Sequence, residues 1–98
     1  MQLKDYDFLS DSTEATSTRF VTFVSPGLRR FDLAILTTNR FYGKKLVIDL
    51  QSGRSGVLAA DDLEEEGVIE AVFRIGEEEA AELSAFLTMV LGEAYFAD

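Results

Sequence analysis

The sequence has no cysteine, no histidine and a single proline, Pro26. Without cysteine there is no disulfide framework, no thiolate nucleophile and no zinc finger. Without histidine, every mechanism that needs an imidazole base is excluded. Cations are scarce as well: nine Lys and Arg stand against eighteen Asp and Glu, a net charge of −9 at pH 7. That balance opposes general nucleic-acid binding, because phosphate contacts need cations. Long apolar runs are also missing. The longest, near Ala85–Leu91, falls well short of the ~20 residues of a membrane span. The Met1 end shows no basic stretch followed by an apolar one, so no signal peptide is expected. A cytoplasmic protein follows as the expectation, without membrane contact and without nucleic acid as a partner.

What is present suffices for one domain. The 98 residues are 47% hydrophobic and include eight Phe, enough for a core without disulfides or a structural metal. Charge is unevenly spread. Residues 19–54 carry a local net of +5, residues 55–98 one of −11 and residues 1–18 one of −3.

Residues 1–17 mix acids with Ser and Thr and show no sustained period, so they read as a mobile N-terminal segment ahead of a single α+β domain at 18–98. Thr18–Ser25 has the β-branched and aromatic composition of a strand. Both its faces are apolar, which predicts a central strand or one covered on both sides. Pro26-Gly27 then signals a turn. Arg30–Thr38 alternates, with Phe31, Leu33 and Ile35 on the core face. Lys44–Gln51 alternates again, and its pattern predicts Leu46, Ile48 and Leu50 inward with Lys45, Val47 and Asp49 outward. Ser52-Gly53 reads as a two-residue hairpin turn before Arg54–Ala60. Four strands joined by short turns predict an antiparallel meander.

After Ala60 the pattern changes. Asp62 and Glu65 have capping-box spacing, and Val68–Ile75 fits a short helix by the spacing of 68, 72 and 75 or a short strand by its β-branched residues, the helix being preferred. Glu77–Tyr95 is the clearest helix, with three acids in its first turn and a wide apolar stripe. The predicted fold is therefore α+β: a four-stranded antiparallel meander, then one short and one long C-terminal helix packed on one sheet face.

Several strings together resemble a known family: TRFVTFV at 18–24, RFDLAI at 30–35, RFYGKKLVIDLQSGR at 40–54, DDLEEEG at 61–67 and EEEAAEL at 77–83. They resemble short acidic proteins of low-GC Gram-positive bacteria that form a domain of unknown function. The resemblance spans roughly Thr13 to Leu87. It implies a bacterial cytosolic origin and an unassigned role, and it supplies no catalytic residues.

Two sets of residues stand out as candidates. Arg40, Phe41, Tyr42, Lys44 and Lys45 place aromatics among cations at one turn, a composition that can stack a base or hold a phosphate. The plainer reading is a turn whose cations keep a sheet edge soluble. Leu87, Leu91 and Tyr95 widen the apolar stripe of the last helix beyond one docking face, which points to self-association. The acidic runs at 61–66 and 77–79 read as solvated helix starts, since consecutive carboxylates on a helix diverge. No Gly-x-x-x-x-Gly-Lys motif is present. No metal, cofactor or catalytic residue is expected. The leading expectation is a non-catalytic interaction or regulatory domain that forms a homodimer or binds an unknown protein partner. The alternative is a small-ligand or nucleotide-binding module centred on Arg40–Lys45, and an enzyme working through carboxylates comes third.

Overall fold

The β-branched and aromatic runs build strands. In the computed structural model, which describes residues 5–92, β1 spans Ser17–Val24, β2 Arg30–Thr37, β3 Lys45–Asp49 and β4 Ser55–Leu58. They form one antiparallel sheet in the order β1-β2-β3-β4. Single 3₁₀ turns at Asn39–Phe41 and Ala60–Glu64 follow β2 and β4. Helix α1 (Val68–Phe73) and helix α2 (Glu77–Leu91) complete the α+β fold expected from the sequence. Among the described residues no helix is long and apolar enough to cross a membrane.

The core lies between one face of the sheet and the two helices. Phe31, Leu33 and Ile35 of β2 face it as the alternation predicts, with Val47 of β3, Leu58 of β4, Ile69 and Phe73 of α1, and Leu83, Leu87 and Val90 of α2. Phe23 of β1 stacks on Phe31, with centroids 5.1 Å apart, and on Phe86 of α2 at 4.2 Å. Gly56 lets α1 settle on β4: a Cβ there would stand 2.6 Å from Val72 Cγ1.

Three local expectations need correction. In β3 the parity is inverted. Val47 is buried, whereas Leu46 and Ile48 lie on the opposite face and Leu50 is half-exposed beyond the strand. The register explains it: Val47 sits across from Ile35, and a one-residue change of parity turns every side chain to the other face. Second, β1 is neither central nor covered on both sides. It is an edge strand, and Phe20 is 73% exposed. Third, the β3–β4 connection is longer than two residues. The Asp49 and Arg54 backbones pair at 2.8 Å, leaving 50–53 as the loop, with Gly53 at φ 81°. The Asp49 carboxylate accepts from the Gln51 amide (3.2 Å) and the Ser52 hydroxyl (2.7 Å) and so organises that loop.

The capping assignment at Asp62 also changes form. Its carboxylate accepts from the Ala59 amide at 2.8 Å, but it does so from within a 3₁₀ turn, with Glu65 at that turn's end. Helix α2 is described to Leu91; its expected continuation to Tyr95 lies outside the described residues.

Candidate functional site

The turn at 38–45 is built from local hydrogen bonds. Thr38 caps it, its hydroxyl accepting from the Arg40 amide at 3.2 Å. Tyr42 adopts the left-handed conformation (φ 54°, ψ 50°), uncommon for a residue with a Cβ, and its ring projects almost fully into solvent. Gly43 follows at φ 90°, and the Lys44 amide closes the turn on the Phe41 carbonyl at 3.0 Å.

The cations of this turn face groups of the same chain. Lys44 Nζ lies 3.1 Å from Asp62 Oδ2. The Ala59 amide and then Lys44 hold the Asp62 carboxyl below its ordinary range. Arg40 Nη1 donates to Ser12 Oγ at 3.1 Å. Glu14 accepts from the Thr38 hydroxyl and from the Asn39 amide, which puts a carboxylate where an incoming anion would dock. Lys45, half-buried at the start of β3, pairs across from Leu58 on the core side of the sheet, and Phe41 is half-buried. The five residues share a turn but do not converge on one point.

Leu87 and Leu91, the expected self-association residues, are buried within the chain's own core. Tyr95 lies outside the described residues. The helix stripe is broad because α2 packs against both the sheet and α1, so its width is taken up inside the single chain.

A different apolar surface emerges on the sheet. Register places Phe20, Ala34 and Ile48 in one cross-strand row, and Leu36, Leu46 and Val57 in the next. These rows occupy the face opposite the helices. Ala34 is only 3% exposed because its larger neighbours close over it, while Phe20, Val24 and Val57 stay exposed. Among the described residues the core cluster and its packed neighbours draw on no member of these rows. A third row is polar. Asp32 accepts from the Thr22 hydroxyl (2.6 Å) and Gln51 Nε2 (2.8 Å) and pairs with Arg30 Nε at 3.2 Å. The Thr22 hydroxyl, foremost, holds the Asp32 carboxyl below its ordinary range. With Arg30 and Asp32 cancelling, this face carries no net charge. The sequence signal for it was the apolar character of both faces of β1, with Leu46 and Ile48 flanking Val47 in β3.

At the far end of the sheet a latch joins the β1–β2 turn to α2. Buried Ser25 donates its hydroxyl to Glu82 at 2.5 Å, and Arg29 spans Glu82 and Glu78 at 3.1 Å each. The Ser25 hydrogen bond, then Arg29, lowers the Glu82 pKa. Gly27 lies against it, and a Cβ there would meet Glu82 Oε2 at 2.2 Å and push that carboxylate aside. This cluster is internally satisfied and reads as structural. A shallow cleft of about 280 Å³ also opens between the start of α1 and α2, rimmed by Glu65, Glu66, Glu70 and Glu77. Among the described residues no three carboxylates gather closely enough to hold a metal ion.

Comparison with protein families matches a family described as SAV0927-like over residues 9–89. No curated protein matches the chain.

Proposed function

The chain belongs to the SAV0927-like family, and we propose that it is a non-catalytic interaction domain that self-associates through the open face of its sheet. The observation that carries this reading is the pair of apolar rows, Phe20–Ala34–Ile48 and Leu36–Leu46–Val57, on the face opposite the helices, where Phe20 and Val57 are exposed and Leu36, Leu46 and Ile48 are partly so. Contiguous exposed apolar surface of this kind marks an interface more often than an ordinary surface. Electrostatics favours a second copy as the occupant. The face is neutral in a chain of net charge −9, so a strongly charged partner gains nothing there. In a face-to-face pair the acidic helices lie outermost, about three layers or ~30 Å apart. That exceeds the ~8 Å screening length at physiological salt. A two-fold dimer is the commonest closed solution.

The resemblance to short acidic bacterial proteins supports the bacterial cytoplasm as the setting. An anion-binding role for the Arg40–Lys45 turn has less support, since Lys44 and the Asn39 amide already face Asp62 and Glu14. Sedimentation equilibrium of the full chain tests the proposal. A dimer at tens of micromolar, reduced to monomer by Phe20→Asp, is the expected result; a strict monomer at hundreds of micromolar overturns it.

A further inference from the structure

We infer that the outer edge of β1 is a second contact surface, at which two copies pair β1 against β1 about a two-fold axis and join their sheets into one of eight strands. This goes beyond the face-to-face contact and is separate from it: the edge contact is made by a strand's backbone, the face contact by side chains.

The first argument is how little guards this edge. β1 stands at the end of the strand order, and its residues pair with β2 one for one, from Ser17 with Thr37 to Val24 with Arg30. That pairing has no bulge, and the strand has no proline and one charge, Arg19. Proline, bulges, charges and shortness are the devices that keep an edge from recruiting another strand. The opposite edge is protected by shortness, since β4 has only four residues. Among the described residues β1 pairs with β2 alone, so the backbone groups on its outer side have no strand to bond.

The second argument is access. Ahead of β1, Ser12 and Glu14 bind Arg40, Thr38 and Asn39. Those residues follow β2, the inner neighbour, so the preceding segment is tied away from the outer side. Above the strand lies α2, with Glu82 bonded to Ser25 just past the strand's end and Phe86 stacked on Phe23. Phe86 is half-buried, and Met89, three residues on and on the same flank of the helix, is 65% exposed. Apolar side chains therefore border the edge.

The third argument is that the edge suits a copy of itself. An axis perpendicular to the sheet sets core face beside core face only when opposed residues have the same parity. With the axis at Val21, residues 18–24 run against themselves over about 23 Å. Phe20 then stands across from Thr22 of the second copy, and Arg19 across from Phe23. The two Arg19 are about 13 Å apart along the strands, beyond the ~8 Å screening length. An axis at Phe20 would bring them to about 7 Å, which favours the Val21 register. The joined sheet carries the helices of both copies on one side and both open faces on the other. Face pairing of two such sheets gives a tetramer with D2 symmetry, a common closed form. The edge contact is only a strand and a helix flank deep, on the scale of weak interfaces, so it forms at higher concentration than the face contact.

The absence of cysteine lets a single thiol report the axis. Val21→Cys sets two thiols at it, where opposed Cα atoms about 4.5–5.5 Å apart lie within the ~4.4–6.8 Å that a disulfide spans. Under mild oxidation at hundreds of micromolar, Val21→Cys should cross-link to a dimer. Ser17→Cys, about 26 Å from its own copy in this register, should not. Phe20→Asp charges both contacts, whereas Val57→Asp, on β4, removes the face contact alone, and the Val21→Cys cross-link should survive it. In the Val57→Asp chain with no cysteine, the β1 amides not bonded to β2 should exchange about 10-fold more slowly once nine-tenths of the chain is paired than in dilute solution. Equal exchange at both concentrations overturns the edge contact and leaves the face contact standing, whether or not Val21→Cys folds. Equal cross-linking of Ser17→Cys, the mark of random collision, also overturns it. So does protection of these amides in the dilute monomer, which would place the chain's own residues on the edge. Failure of the face contact shows differently: wild type and Val57→Asp would associate alike, with the cross-link unaffected.

Discussion

The two faces of the sheet are made of similar residues and meet opposite fates. The core face presents Val21, Phe23, Phe31, Leu33, Ile35, Val47 and Leu58 to two helices. The open face presents Phe20, Val24, Leu36, Leu46, Ile48 and Val57, and among the described residues it meets nothing comparable. Hydrophobicity does not separate the two faces. What separates them is connectivity: the segment after β4 crosses one side of the sheet, and among the described residues no further element lies on the other. An acidic protein can carry an apolar face of this kind because its charge is concentrated on the helices.

Substitutions on either side sharpen that contrast. The largest effect is expected at Leu83, fully enclosed between α2 and the sheet. Leu83→Ala should cost about 2–5 kcal/mol, the usual range for a buried Leu, as read by urea denaturation. A loss below about half a kcal/mol, the surface range, would mean that the helix layer is not the one that closes the core.

Next comes the latch that ties the helix layer to the sheet. The folded Glu82 pKa lies below the unfolded value, so its contribution is present above the ordinary carboxylate range and is lost as pH falls through the lower, folded value. Melting temperatures of wild type and Glu82→Gln should differ most above about pH 5 and converge on acidification. Curves that stay parallel would remove Glu82 from the acid response.

A smaller change is expected at the 38–45 turn. Lys44→Ser breaks a partly exposed pair with Asp62 and should cost about 0–1 kcal/mol, with the loss shrinking at high salt.

The smallest stability effect belongs to the open face. Phe20→Asp, measured where the chain is monomeric, should change stability by no more than about 0.5 kcal/mol, as exposed positions do, although it should abolish association. A loss of several kcal/mol would show that the face is covered within one chain and would erase the distinction between the two sides.

How far the sequence reveals this arrangement depends on the element. In β2, Asp32 and Ala34 hold the lighter face, so alternation identifies Phe31, Leu33 and Ile35 as core without help from tertiary structure. In β3 the run Leu46-Val47-Ile48 is apolar at every position. Pattern alone then favours the two larger residues, and only pairing with Ile35 reveals that Val47 is the buried one. The apolar character of both faces of β1 is visible in the sequence, but that composition suits a covered strand as well as an edge strand at an interface. The candidate turn is legible as a turn because Gly43 marks it. The engagement of Thr38 and Asn39 with Glu14, and of Lys44 with Asp62, is not, since those partners lie 18 to 25 residues away. The breadth of the α2 stripe is correctly read as more than one docking face, yet the second face meets α1, whose position no periodicity encodes.

The Ser25–Glu82 hydrogen bond joins residues 57 apart in the chain, whereas the sheet grows by pairing strands that follow one another directly. During folding the meander can therefore form from short loop closures, and the latch can close only after α2 has docked on it. Interactions made after the rate-limiting barrier leave the folding rate unchanged and act on escape from the native state. In kinetic terms the Ser25–Arg29–Glu82 cluster is therefore expected to act as a brake on unfolding, setting how long a folded molecule lasts more than how quickly one is made.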